Sequence, residues 1–196
     1  MTRHVDGREI VEVPDRAAWR QWLAERHEQR EAIWLVLHKQ ASKGRSPSYE
    51  EAVEEALCFG WIDSTVNRLD ERRNVQLFAP RRPRSTWSAS NKERVARLER
   101  AGLLAPAGLA AIEAAKENGS WSALDAVERL EEPPELTAAL DAEATARENW
   151  NAFSPSSRKA ILWWIVSAKR PETRAKRIEQ TVRMAEKGLR AQFDHE

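Results

Sequence analysis

Residues 78–91 read FAPRRPRSTWSASN, and they hold the densest set of groups that could do chemistry. Arg81, Arg82 and Arg84 are followed by Trp87, Ser88 and Asn91. Guanidinium groups take carboxylate and phosphate in a two-pronged geometry. An indole stacks on planar groups and on cations. The pattern predicts a helix starting near Asn91, and a helix start offers unpaired N–H groups and a partial positive charge. Arg81, Arg82, Trp87, Ser88 and Asn91 therefore read as contacts for a small anionic ligand. Trp61 and Asp63, which share a face if Trp61 to Leu69 is extended, stand behind them. A second reading of the same residues stays open. Asp63 can ion-pair with an arginine of the loop, since a buried acid generally needs such a partner. Ser90 and Glu93 match a capping box, which would claim the helix-start donors and add negative charge.

Other chemistry is thinly represented. Cys58 falls in the last turn of its expected helix, where the helix dipole opposes a thiolate, so it reads as buried apolar filler. The histidines at 4, 27, 38 and 195 are scattered, with no metal-ligand spacing. No glycine-rich phosphate loop or nucleophile elbow occurs. No nucleophile–base pair presents itself, so no catalytic residue, cofactor or metal is expected. From Ser154 onward ten basic residues stand against five acidic ones. Lys169, Arg170, Arg174 and Arg177 form a candidate interaction surface there. Its alternatives are a solvated helix face and charges that complement the end of the preceding helix.

The elements that must position these groups follow from periodicity. Glu9 to Val13 alternates like a strand, and Asp15 can cap the helix carrying Trp19, Trp22 and Leu23. Ala32 to Lys39 reads as a buried strand, the Lys-Gly-Arg-Ser-Pro segment at 43–47 as a loop, and Tyr49 to Cys58 as a helix ended by Gly60. Trp61–Leu69 and Val75–Ala79 form a hairpin about the polar stretch Asp70–Asn74. Helices follow, one after Pro106 and three more near Pro134, Pro155 and Pro171. Ile161, Trp164, Ile165 and Ala168 form one apolar stripe, and Ile178, Val182, Ala185 and Leu189 another. The expected fold is α+β, a small mainly antiparallel sheet packed by helices in 1–130, then an all-helical module in 131–196.

The 196 residues carry 32 basic and 31 acidic side chains, nine tryptophans, one tyrosine and one cysteine. That balance argues against a broad nucleic-acid surface. Most of the tryptophans should be core. A single cysteine excludes an intrachain disulfide, the start lacks a signal-peptide core, and no apolar run approaches a membrane span. A soluble cytoplasmic protein is expected.

Glu55-Ala56-Leu57-Cys58-Phe59-Gly60-Trp61-Ile62-Asp63, Pro80-Arg81-Arg82, Ser85-Thr86-Trp87-Ser88 with Asn91, and Ala168-Lys169-Arg170-Pro171-Glu172-Thr173-Arg174 with Arg177-Ile178 resemble the bacterial YdeI/OmpD-associated family. The resemblance covers nearly the whole chain. It implies a non-enzymatic role in protection against bacteriocins or antimicrobial peptides and in envelope stress, and it supplies no catalytic residues. Two functions are kept: a binding protein with a small-anion cleft between hairpin, arginine loop and C-terminal helices, and a protein or nucleic-acid interaction module acting through the basic C-terminal helices. An enzyme is a third option, with no nucleophile–base pair to carry it.

Overall fold

The computed structural model describes residues 4–39 and 45–194. His195, and the part of the 43–47 loop at Lys43 and Gly44, lie outside the described residues. Two compact units divide the chain, Met1–Ser122 and Ala123–Glu196. The break precedes the Glu131-Glu132-Pro133-Pro134 stretch, because α5 (Asp125–Glu128) puts Val127 into the second core.

The first unit is a five-stranded sheet with helices. Strands β1 (His4–Val5), β2 (Arg8–Val11), β3 (Ile33–His38), β4 (Trp61–Arg68) and β5 (Arg73–Pro80) lie in the order β1-β2-β3-β5-β4. β2 and β3 are parallel, so α1 (Arg16–Arg26) crosses between them. The other pairings are antiparallel. The β4–β5 turn is tighter than the polar stretch suggests. Asp70 Oδ1 accepts from the Arg72 and Arg73 amides, each at 2.8 Å, and this lets Arg73 and Asn74 join the ladder.

One face of the sheet carries Ile33, Leu35, Leu37, Trp61 and Phe78 into the main core. Trp19 and Leu23 of α1 join them there, with Ala52, Val53, Ala56 and Leu57 of α2 (Tyr49–Cys58). Trp19, Trp61 and Trp87 are almost wholly buried, as expected of indoles in a core. The opposite face holds a smaller cluster of Trp34, Val36 and Val75. α3 (Ala89–Arg100) and α4 (Pro106–Glu117) complete the unit. Gly60 has φ +74, the left-handed conformation that ends α2. A Cβ on Gly108 would sit 2.3 Å from the Cys58 carbonyl oxygen, so only glycine lets α4 approach the end of α2.

The second unit is helical throughout the described residues: α5, α6 (Pro134–Asp141), α7 (Ala144–Ala152), α8 (Pro155–Val166) and α9 (Pro171–Glu186). Leu136, Leu140, Trp150, Ile161, Leu162 and Ile165 form its core. The sequence reading missed α5 and the separate α7, both short and lacking a side-chain cap to mark their start. Ser154 caps α8 by accepting from the Ser157 amide. Among the described residues no helix is long and apolar enough to cross a membrane.

Candidate functional site: the hollow beside Asp63

The arginine loop is built differently from its sequence reading. Arg81 folds inward and lies over Trp87, its guanidinium carbon 3.5 Å from the ring centroid. Arg81 Nη1 donates to the Thr86 carbonyl at 3.2 Å, while Nε and Nη2 are buried without a hydrogen-bond partner. Burial pushes the guanidinium pKa down to about 10, against the attraction of Asp63. Trp87 is buried to 1% exposure and packs on Trp121 with centroids 5.0 Å apart. Arg82 and Arg84 stay exposed and make no ion pair among the described residues. The expected convergence of Arg81, Arg82 and Trp87 on one accessible hollow is therefore replaced by an internal stack with two outward arginines. The physical reason is the indole, which is stabilised more by the core and by the flat guanidinium than by water.

The expected capping box is corrected as well. α3 begins at Ala89, and Ser88 is its cap, accepting from the Asn91 amide at 3.3 Å. Ser90 instead shares a hydrogen bond with Ser88. Asn91 is buried, and its Oδ1 accepts from Arg94 Nη1 at 3.1 Å. Ser88 and Asn91 thus serve the helix start. The box geometry occurs at α2, between Ser48 and Glu51.

Trp61 is also internal: its Nε1 donates to the His27 carbonyl at 3.0 Å and its ring meets Trp22 edge-on. Asp63 shares its face, as expected, but sits farther along the strand, where the helices cover less. It borders a hollow of about 490 Å³ lined by Leu37, Ser48, Tyr49, Val66, Asn74 and Gln76, with His38. No ion pair within 4.0 Å joins Asp63 to the arginine loop; its partner is Tyr49, whose hydroxyl donates to Oδ2 at 2.8 Å. Burial, then the bond to Asp63, raises the Tyr49 pKa to about 12.

The register of β4 explains how Val66 comes to line this hollow. Strict alternation puts Val66 with Ile62 and Ser64, away from Asp63. A bulge between Asp63 and Val66 inserts one residue, and Val66 then opposes Gln76. Gln76 is 4% exposed, and its Nε2 donates to the Ser64 carbonyl within the bulge at 3.0 Å. The sequence reading missed Tyr49, Asn74 and Gln76. One usable signal was the glutamine set between Val75 and Leu77-Phe78 in a buried strand; the bulge gave none.

A second feature went unread. Glu55 of α2 is 2% exposed and is clamped by Arg16 Nε and Arg20 Nη1, each at 2.6 Å. Arg16 continues to Glu54, which also meets Arg97, and Glu50 joins Arg97 and Arg94. This network ties α1, α2 and α3 together. Cys58 lies beside it, wholly buried, with its thiol pKa pushed up by burial and by Glu55. Among the described residues no group of three or more His, Cys, Asp or Glu could hold a metal ion.

In the second unit the expected basic surface is partly spent inside. Arg174 reaches Glu135 at 3.1 Å. Arg177 donates to the Trp164 carbonyl and to Ser167 Oγ, and it lies 5.0 Å from the Trp164 ring. Lys169 and Arg170 are exposed. Glu132 is the polar centre of the unit, accepting from Trp150 Nε1 at 2.8 Å and meeting Arg147 and Arg158.

The comparisons with known proteins follow the two units. No curated protein and no solved structure gives a significant match to the chain. Residues 11–111 match a family described as a domain of unknown function (DUF8412). Residues 129–188 match the family described as Bacteriocin-protection, YdeI or OmpD-Associated. The resemblance read from the sequence is thereby corrected in extent: the motifs at 55–63 and 80–91 fall in the first match, and only those at 168–178 fall in the second. The chain accordingly belongs to the family described as a domain of unknown function (DUF8412), and it carries a Bacteriocin-protection, YdeI or OmpD-Associated domain at residues 129–188.

Proposed function

We propose that this protein is a non-enzymatic binding protein of the bacteriocin-protection type. Its setting is the cytoplasm, its role protection against bacteriocins or antimicrobial peptides and envelope stress, and its ligand seat the hollow beside Asp63. The observation that carries the binding reading is the Tyr49–Asp63 hydrogen bond in the wall of a hollow of about 490 Å³. Small-molecule sites combine such concavity with a few placed polar groups. Support for the protective role comes from the domain at 129–188. A non-enzymatic reading agrees with the side chains that are present: the thiol of Cys58 is sealed in the core, and Tyr49 is held protonated by burial and by Asp63.

Of the small-anion contacts expected, Arg81, Trp87, Ser88 and Asn91 play a structural part in this reading, and Arg82 is exposed. Two of the three guanidinium nitrogens of Arg81 face no partner, yet they are closed to solvent as well. The test is a thermal-shift screen of small ligands on the wild type, on Asp63→Asn and on the Arg82→Ala/Arg84→Ala pair. Hits lost in Asp63→Asn and kept in the arginine pair support the hollow. Hits lost only in the arginine pair return the site to the loop. Survival of a bacterial host under bacteriocin challenge, with and without the gene, tests the protective role.

A further inference from the structure

We propose that the hollow beside Asp63 takes a compact organic cation, the ammonium or guanidinium end of an alkyl chain. The inference rests on reading that hollow as the ligand seat and names the ligand class.

The acceptors come first. Asp63 Oδ2 is taken by Tyr49, but Oδ1 has no partner among the described residues. Gln76 is buried to 4% exposure and uses only its Nε2, towards Ser64; its Oε1 has no partner among the described residues and is not sealed from solvent. An acceptor left open on a mostly buried amide is free to take an N–H from a ligand in place of water. Tyr49 spends its only proton on Asp63, so towards a ligand its oxygen can only accept. Ser48 Oγ likewise donates to Glu51. Among the described groups lining this hollow, Asp63 Oδ1, Gln76 Oε1 and the Tyr49 oxygen can accept, and the Asn74 amide and Ser64 hydroxyl can serve as either. Anions and carbonyl-rich molecules meet repulsion there, whereas a group with several N–H donors is satisfied.

Charge points the same way. Glu50 and Glu51 occupy the first turn of α2 and offset the positive helix start. Arg94, which also feels Asp63, is held by Glu50, to which its Nε and Nη2 donate at 3.0 and 2.6 Å. Arg81 opposes a cation there as well, but it is buried on Trp87 and makes no ion pair with Asp63. A cation in the hollow meets the Asp63 carboxylate directly and Arg81 only at longer range, where the attraction outweighs the repulsion. Leu37 and Val66 supply apolar walls for a short methylene stem.

Tyr49 is the only tyrosine of the chain, so phenol ionisation followed by ultraviolet absorbance reports this site alone. Four probes are titrated into the full chain: n-propylammonium, n-propylguanidinium, neutral n-propanol and inorganic phosphate. Binding is followed by calorimetry at neutral pH, and the Tyr49 signal is read with n-propylguanidinium as the cation, since an alkylammonium loses its charge below the pH at which Tyr49 ionises. The expected result is saturable binding of the two cations, weakened about tenfold or more in Asp63→Asn. Binding should be retained in Tyr49→Phe, which keeps the carboxylate and the hollow. Circular dichroism shows whether each variant is folded. Should Asp63→Asn unfold, Gln76→Leu is the substitute, with the same weakening expected. Saturable binding of propanol or phosphate at Tyr49, without the cations, overturns the cation class and leaves the hollow as a seat. No probe perturbing Tyr49 overturns the inference and removes the hollow from the proposed function. Cation binding that Asp63→Asn does not weaken also overturns it, by placing the cation elsewhere.

Discussion

The guanidinium of Arg81 lies flat on the indole of Trp87, 3.5 Å from the ring centroid, and both are inside the first unit. This stack converts the most ligand-like stretch of the sequence into a strut between the end of β5 and the start of α3. Its stability is finely divided. A desolvated cation–π contact contributes about 2 kcal/mol, and it is opposed by burying a charge with two unpartnered donors.

Arg81→Met should therefore fall within about 1 kcal/mol of wild type, because an apolar chain of similar length replaces the packing and removes the orphaned donors. Arg81→Ala should cost about 2–3 kcal/mol by leaving a cavity under Trp87. Denaturant midpoints at neutral pH measure both. Equal loss in the two variants would show that the charge, not the packing, holds the loop.

The Tyr49–Asp63 bond predicts an alkaline effect. Tyr49 titrates near 12 in the folded chain against an ordinary 10.0. Its folded value is the higher one, through burial first and the bond second, so the stability tied to the protonated phenol is complete below about pH 10 and is lost as the pH rises through about 12. The phenolate absorbance of the single tyrosine should therefore appear late. In Asp63→Asn the transition should move towards its ordinary value but not reach it, since burial, the larger cause, persists. A titration in Asp63→Asn identical to that of wild type would remove the bond as a cause.

Glu55 is the acid on which α1 and α2 meet. Glu55→Ala leaves Arg16 and Arg20 without their buried partner and should cost about 3 kcal/mol, at the lower end for a broken buried pair because both arginines are about a third exposed. Arg20→Met should cost less, about 1 kcal/mol, since Arg16 remains to neutralise Glu55. Urea unfolding of the full chain gives the comparison, and a larger loss in Arg20→Met contradicts this order.

Glu132 governs the acid side of the second unit. Burial raises its pKa, but hydrogen bonds from Arg147 and Trp150 outweigh that and hold it below the ordinary carboxylate range. A lowered folded value means stability that is present above the ordinary range and is lost as pH falls through the folded value. Glu132→Gln should be less stable at neutral pH and should lose less on acidification. Melting temperatures from neutral pH down to about pH 3 test this. Parallel acid curves for the two proteins would assign the effect to other carboxylates.

The gap between reading and structure is instructive at particular residues. The limits of α2 at Tyr49 and Cys58 were legible because the apolar spacing and Gly60 are local signals, and the Ser48 cap agrees with them. Ser88 was misplaced as a rim group because Ser90 offers the same local pattern three residues before Glu93, and only packing decides which serine caps. Arg174 and Arg177 fit a surface arginine row on spacing alone. Their engagement with Glu135 and the end of α8 depends on helix positions that spacing does not carry.

By itself the sequence determined the α+β class, the hairpin and the helical second module, and it carried the expectation that most tryptophans are core without saying that Trp61 and Trp87 are among them. Those follow from hydrophobic period and from capping and turn residues, which act over a few positions of chain. Tertiary structure alone decided which polar groups meet. The bulge between Asp63 and Val66 turns Val66 towards Gln76, and the register of α2 on the sheet brings Tyr49 to Asp63 across 14 positions. Contacts at that distance arise from register and packing between elements, which a single strand or helix pattern does not encode.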